Sequence, residues 1–115
     1  MRHLNLQLQP ERAPALDMAR VNELVGALAQ DRTIVAAFES KAGEDEGPYV
    51  NFTFAATDAG ALWQKMRDEV LAHDELGAQI ASAAIVICEG EQGWDDYLLL
   101  HHFDPQYPLD EADEL

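Results

Sequence analysis

Residues 3–9 read HLNLQLQ, in which polar residues and leucines alternate without exception. Successive side chains of a β-strand point to opposite faces, so this alternation predicts a strand with one buried face and one polar face. After two prolines, the apolar residues of the next segment recur three and four positions apart. That period is typical of an amphipathic helix, which we expect over residues 15–30.

Two further strand-like runs occupy residues 33–39 and 49–55. Between them, residues 40–48 read SKAGEDEGP and combine glycine, proline and charged residues. Such a composition is typical of an exposed connection between two strands. We therefore expect a hairpin whose loop spans residues 40–48.

A second helix is predicted after Thr57 or Asp58, because either residue can cap its first turn. The apolar residues of this segment lie four apart and carry the helix to about residue 73. Residues 74–82 keep helical spacing, which predicts a short further turn or helix after a break near Gly77.

The last part of the chain is predicted to form a hairpin followed by a tail. Residues 84–89 are rich in β-branched side chains, residues 90–93 carry the glycines of a turn, and residues 96–103 form the final strand. Residues 104–115 contain two prolines and five acidic residues, which is typical of a loosely ordered acidic tail.

The predicted element order is strand, helix, strand, strand, helix, strand, strand, within a single domain of residues 1–115. Two split βαβ units in this order predict an α+β fold of the ferredoxin-like type, βαββαβ with an added C-terminal strand. We expect an antiparallel sheet in the order 5-4-1-3-2, with two helices on one face.

Charge is distributed unevenly along the chain. Residues 1–67 hold 9 acidic and 7 basic residues, whereas residues 68–115 hold 13 acidic residues and neither Lys nor Arg. This field repels nucleic acid and anionic membranes and attracts basic proteins or other cations. We therefore expect no nucleic-acid or membrane partner, and a basic protein is the partner that the charge favours. Solubility alone is the alternative role for the acidity.

No apolar run approaches the roughly 18 residues that cross a bilayer, and no secretion signal is evident, so a cytoplasmic protein is expected. The single cysteine, Cys88, excludes an internal disulfide and a cysteine-based zinc cluster. Cys88 lies in an apolar run without a neighbouring cation that would lower its pKa, so we expect no nucleophilic role for it. No cofactor or catalytic residue is predicted, because no motif for either is present.

Two runs near the C-terminus are apolar on both sides. Residues 84–88 read AIVIC and residues 97–100 read YLLL. A strand that is apolar on both faces is covered on both faces. A second copy of the chain is the cover that we favour, which predicts a homodimer. The alternative covers are the tail, residues 74–82 or a partner protein.

The predicted last hairpin holds most of the reactive side chains. A tryptophan at a glycine-flanked turn is costly to expose, so Trp94 either packs on the core or anchors an interface. The carboxylates beside Trp94 suit a partner surface that presents Arg or Lys. The predicted partner-binding residues are Glu89, Glu91, Trp94, Asp95, Asp96 and Tyr97.

A second candidate site is a polar cavity on the face of the sheet that the helices leave open. Its predicted lining residues are Asn5, Gln7, Asn51 and His101. A weak metal candidate is the pair His102 and Asp104, which share one face of the last strand.

Two functions from different classes follow. The first is a small acidic binding module of inhibitor, immunity or regulatory type that docks on a basic partner protein. The alternative is a dimeric small-molecule-binding protein or enzyme with a pocket on the open face of the sheet. One contiguous exposed acidic surface favours the first function, and a closed polar pocket favours the second.

Overall fold

The computed structural model describes residues 1–112 and Leu115. In chain order its elements are β1 (Arg2–Leu8), α1 (Met18–Ala27), β2 (Val35–Glu44), β3 (Pro48–Ala56), α2 (Ala59–Met66), α3 (Asp74–Ala81), β4 (Ala84–Gly90) and β5 (Gly93–His101). Two 3₁₀ turns, Pro10–Arg12 and Leu28–Gln30, and one π-helical turn, Arg67–Leu71, lie between them.

The five strands form one antiparallel sheet in the order β2-β3-β1-β4-β5. The α+β class is confirmed, and the strand order agrees with the predicted order read from the opposite edge. The fold was predicted with two helices, whereas the described residues form three α-helices. The third, α3, is formed by the segment after residue 73, where a short further element was expected.

The helices share one hydrophobic core with one face of the sheet. Leu4, Leu6 and Leu8 of β1 are fully buried, as their alternation predicts. Leu6 lies opposite Phe52 of β3 and Val86 of β4, which are buried as well. Side chains from all three helices complete this core. The polar residues of β1 therefore belong to the opposite face of the sheet.

The β2–β3 hairpin is longer than predicted. Pairing continues as far as Glu44 opposite Pro48, so the predicted nine-residue loop is reduced to residues 45–47. The ring of Tyr49 lies across Gly43, in the place that a Cβ atom would occupy. Because β2 is an edge strand, charged side chains are tolerated there and do not end the pairing.

Aspartate residues cap two of the helices. At the start of α2, the Asp58 carboxylate accepts a hydrogen bond from the Ala61 N–H at 3.0 Å. Asp17 caps α1 in the same way, and α1 begins at Met18, later than predicted. Of the two predicted caps of α2, Asp58 is confirmed, whereas the Thr57 hydroxyl donates to a backbone carbonyl before β2.

The break between α2 and α3 lies at residues 72–73 and not near Gly77. Gly77 is buried inside α3, where α3 packs against the π-helical turn. A Cβ atom at this position would lie 2.5 Å from the carbonyl oxygen of Val70 and 2.8 Å from that of Leu71. The glycine therefore permits a close backbone approach and does not end a helix.

The segment after β5 lies along the outer edge of that strand. The Asp110 N–H donates to the Leu99 carbonyl at 2.8 Å, and the Leu99 N–H donates to the Asp110 carboxylate at 2.7 Å. Ala112 and Leu115 are partly buried against the core. Asp113 and Glu114, which belong to the predicted tail, lie outside the described residues.

The face of the sheet opposite the core carries the polar residues of β1 and the outward side chains of β4. Among the latter, Ile85 and Ile87 are half-buried, whereas the core-side residues of β4 are fully buried. Within one chain, β4 is therefore fully covered on its core face and only partly covered on its open face, whereas coverage of both faces was expected. No helix in the described part of the chain has the length and apolar character that crossing a membrane requires.

Candidate functional site

The outer strand of the last hairpin carries a bulge, residues 94–97, which we term the β5 bulge. Cys88 lies opposite Leu98, and Gly90 lies opposite Gly93. One residue of β4 therefore faces four residues of β5. The four residues of the bulge therefore cannot all pair with β4.

All four residues of the β5 bulge are exposed. Trp94 is 42% exposed and Tyr97 is 53% exposed, whereas Trp63 on α2 is 6% exposed. Trp63 is thus a core residue, and Trp94 is not. Because β5 begins at Gly93, Trp94 lies within a strand and not in the turn where it was predicted.

Gly90 allows the β5 bulge to close on the neighbouring strand. The carbonyl oxygen of Asp96 occupies the position that a Cβ atom on residue 90 would take. Any side chain at this position would collide with that carbonyl group. The local shape of the hairpin therefore depends on this glycine.

Glu89 differs from the other predicted partner-binding residues because it is held by β1. Its Oε1 accepts a hydrogen bond from the backbone N–H of His3 at 2.6 Å and lies 2.6 Å from the ring Nδ1 of the same residue. Burial alone would raise the pKa of Glu89, but the hydrogen bonds and charge of His3 outweigh burial and hold that pKa below its usual range. Glu89 therefore joins two strands, whereas Glu91 is exposed.

Arg2 lies beside the β5 bulge. It lines a depression of about 370 Å³ together with Gly90, Glu91, Asp96 and Leu98. Arg2 also acts on the thiol of Cys88, but burial raises the pKa of that thiol more than Arg2 lowers it. The expectation that no cation lies near Cys88 is wrong, but burial keeps the pKa of the thiol above its usual range despite Arg2.

Three residues of the predicted polar cavity lie together on the open face of the sheet. Asn5 donates from Nδ2 to Oδ1 of Asn51 at 3.1 Å and accepts at its own Oδ1 from the Thr53 hydroxyl at 2.8 Å. Gln7 is paired in register with Asn51. These side chains form a polar patch across β1 and β3.

The fourth residue of that prediction, His101, lies apart from this patch. His101 is opposite Val86, whose side chain belongs to the core. The Nε2 atom of His101 lies 2.8 Å from the carbonyl oxygen of Ala81, at the end of α3. His101 therefore faces the helical layer and not the open face.

The weak metal candidate, His102 with Asp104, is occupied by local hydrogen bonds. The backbone N–H of Asp104 donates to Nδ1 of His102 at 2.9 Å, and the Asp104 carboxylate accepts from the Gln106 N–H at 2.9 Å. Residues 1–112 and 115 contain no group of three His, Cys, Asp or Glu side chains placed to hold a metal ion. This pair therefore has no third ligand in the part of the chain that the structure describes.

Gln7 and Asn51 also line an open groove of about 580 Å³ at one end of the sheet. Its walls include Arg12 from the first 3₁₀ turn and Asp45 and Glu46 from the β2–β3 turn. Sequence reasoning missed these charged residues because they lie in two separate segments that were interpreted as connections. The available signal was the predicted sheet order, which places β1 beside β3 and brings the two turns together.

Comparison of the chain with protein-family models, with curated proteins and with solved structures finds no significant match.

Proposed function

We propose that this chain is a small acidic binding module that docks on a basic partner protein, as an inhibitor, an immunity protein or a regulator does. The observation that supports this function is the β5 bulge, which presents two exposed aromatic side chains and two exposed carboxylates on four consecutive residues. Because the elements follow the connectivity βαββαβ with an added strand, we infer a ferredoxin-like scaffold for the module.

The two kinds of side chain in the β5 bulge have different roles in this proposal. Trp94 and Tyr97 supply the contact area from which most binding energy derives at protein interfaces. Asp95 and Asp96 supply charge that attracts and orients a basic surface. An arginine of the partner can stack on the indole ring while its guanidinium group meets a carboxylate.

The acidic surface on which the proposal rests is narrower than sequence reasoning suggested. Glu91, Asp95 and Asp96 lie together on the last hairpin and are exposed. Glu89 is held by His3, and its role in the proposal is to fix the hairpin on β1. The excess negative charge of residues 68–115 adds a long-range attraction for a basic partner that salt screens.

The test is a comparison of the proteins captured by two immobilised variants. Charge reversal in the β5 bulge, Asp95→Lys with Asp96→Lys, is expected to abolish capture of the partner and to leave the circular dichroism spectrum unchanged. The matched control is Asp68→Lys with Glu69→Lys, which reverses two adjacent exposed carboxylates on the π-helical turn.

A supporting result is a basic protein that the wild type and the control retain at low salt and that the bulge variant loses. The same protein is expected to elute as the salt concentration rises from about 0.05 M to about 0.5 M. Capture of identical proteins by all three chains would remove the β5 bulge from the proposal.

We also propose that the chain forms a homodimer through the open face of the sheet, where Ile85 and Ile87 are only half-buried. Light scattering after size exclusion is expected to give the mass of two chains, and Ile87→Lys is expected to give the mass of one. The control is Ala42→Lys on exposed β2. A wild type with the mass of a single chain at low and at high salt contradicts the dimer.

A further inference from the structure

The groove at the end of the sheet has hydrogen-bond donors on one side and carboxylates on the other. It lies on the open face, where the first 3₁₀ turn, Pro10–Arg12, approaches the turn between β2 and β3. Its volume of about 580 Å³ is within the range of small-molecule sites. The groove is separate from the β5 bulge and shares no lining residue with it.

Hydrogen bonds fix the orientation of the donors on the first side. The Nε of Arg12 donates to Oε1 of Gln9 at 2.6 Å. Because a guanidinium group only donates, the amide oxygen of Gln9 must face Arg12, and its NH₂ group then donates to Oε1 of Gln7 at 3.1 Å. The NH₂ group of Gln7 is left without an acceptor among the described residues, and so are the terminal nitrogens of Arg12.

Asn51 adds a further donor to this side. Its Oδ1 accepts from Asn5, and its own NH₂ group has no acceptor in the described part of the chain, so this group can donate to a ligand. Arg12 is held in place from outside the groove, because its guanidinium carbon lies 3.7 Å from the ring centroid of Phe103. The donor side is therefore formed in advance of binding, which lowers the entropic cost of binding a ligand.

The second side of the groove carries three carboxylates, from Glu11, Asp45 and Glu46. None of the three has a cation partner in the described part of the chain. The Glu11 carboxylate lies next to the β2–β3 turn, since a Cβ atom built on Gly47 would be 3.5 Å from its Oε2. Against one guanidinium group, these carboxylates leave the groove with an excess of negative charge.

We propose that this groove binds a basic α-amino acid, such as arginine or lysine. The carboxylate of the ligand meets Arg12 and the NH₂ groups of Gln7 and Asn51. Its α-ammonium group and cationic side chain meet the carboxylates of the opposite side. A basic amino acid carries one carboxylate for Arg12 and two cationic groups for the carboxylates of the opposite side. An acidic amino acid or a nucleotide would instead add negative charge to a groove that already has an excess of it.

The first experiment compares L-arginine with agmatine, which has the same side chain and amine but no carboxylate. Isothermal titration calorimetry is expected to show binding of L-arginine and at least about tenfold weaker binding of agmatine and of L-glutamate. In ¹⁵N-labelled protein, L-arginine is expected to shift the side-chain NH₂ signals of Gln7 and Asn51. Equal affinity for L-arginine and agmatine, or no binding of either, would overturn the proposal.

Two sets of variants assign the binding to the groove. Arg12→Gln is expected to weaken binding of L-arginine at least about tenfold, whereas Arg20→Gln, at an exposed position on α1, is expected to leave it unchanged. Because Arg12 also packs on Phe103, the second set uses exposed carboxylates: Asp45→Asn with Glu46→Gln, against the control Glu23→Gln. Unchanged affinity in Asp45→Asn with Glu46→Gln contradicts the site.

The outcome is independent of the partner-binding function. If L-arginine changes the NMR chemical shifts of residues 94–97 and leaves those of Gln7 and Asn51 unchanged, it binds the β5 bulge. Such a result would overturn the groove and would leave the protein-docking proposal standing.

Discussion

At the scale of the residue, His102 shows how local packing selects one protonation state. Its ring lies 3.9 Å from that of Tyr107 and 4.4 Å from that of Phe103, measured between centroids. Its Nδ1 accepts the backbone N–H of Asp104, which requires an unprotonated nitrogen. Burial lowers the pKa of His102, and although Asp104 acts in the opposite direction, the net pKa is below the usual 6.5.

This direction fixes the sign of the pH dependence. As the pH falls below about 6.5, the unfolded chain binds a proton at His102 before the folded chain does, so the free energy of unfolding decreases. The contribution is fully present above the unfolded pKa and is lost as the pH falls through the folded pKa. Urea unfolding at about pH 7.5 and about pH 5.5 is expected to show this decrease in the wild type and a smaller decrease in His102→Phe. The same decrease in both chains would show that another group is responsible.

At the scale of the element, the β5 bulge depends on the strand beside it. In Gly90→Ala, the new Cβ atom meets the carbonyl oxygen of Asp96, so the bulge must move. We expect the free energy of unfolding to fall by about 1–3 kcal/mol, which is the usual cost of overpacking. Urea denaturation measures this change, and capture of the partner by Gly90→Ala is expected to weaken although every carboxylate is kept.

The matched control for this glycine is Gly26 on α1. A Cβ atom at that position has no neighbour within 4 Å. Because alanine favours a helix more than glycine does, Gly26→Ala is expected to raise the free energy of unfolding by up to about 1 kcal/mol. Stabilisation by both substitutions would mean that the backbone of the hairpin does not hold the shape described above.

An element could be predicted from the sequence where its own residues determine its pattern, and it could not where a neighbouring strand determines it. The leucines of β1 alternate because one face of that strand meets the core, and Asp58 caps α2 through its own first turn. By contrast, β2 continues to Glu44 because it pairs with β3, and an exposed edge strand carries no alternation that would reveal this. The β5 bulge was missed for the same reason, since its register is decided by the partner strand.

The candidate sites follow the same rule. Trp94 and its neighbours could be singled out because they are consecutive in the sequence. Gln7 and Asn51 could be paired once β1 was expected beside β3. Arg12 and Glu11 were missed, although the predicted sheet order brings their turn close to the β2–β3 turn, because charged residues after a proline have the composition of any solvated turn. His101 was assigned to the wrong face because the register of β5 shifts between Val86 and Ile87.

At the scale of the whole molecule, negative charge far exceeds the cations that could balance it. The formal net charge is −15 at pH 7. Asp31 has a partner: the pKa of its carboxyl is lowered by a hydrogen bond from Thr33 and by Lys65, whose Nζ lies 3.3 Å away. Most carboxylates have no such partner in the described chain, and their mutual repulsion is stronger in the compact folded state than in the expanded unfolded chain.

Salt is therefore expected to stabilise this protein. Between about 0.02 M and about 0.5 M NaCl the Debye length shrinks from roughly 20 Å to about 4 Å, which screens the repulsion between exposed carboxylates. Each ~1 kcal/mol of relief is expected to raise the Tm by roughly 4 °C in a domain of this size. Thermal unfolding followed by circular dichroism measures the change, and choline chloride at equal ionic strength is expected to give the same rise. A Tm that is flat or falling with salt would mean that attraction between charges outweighs repulsion in the folded chain, as it does where ion pairs dominate the surface.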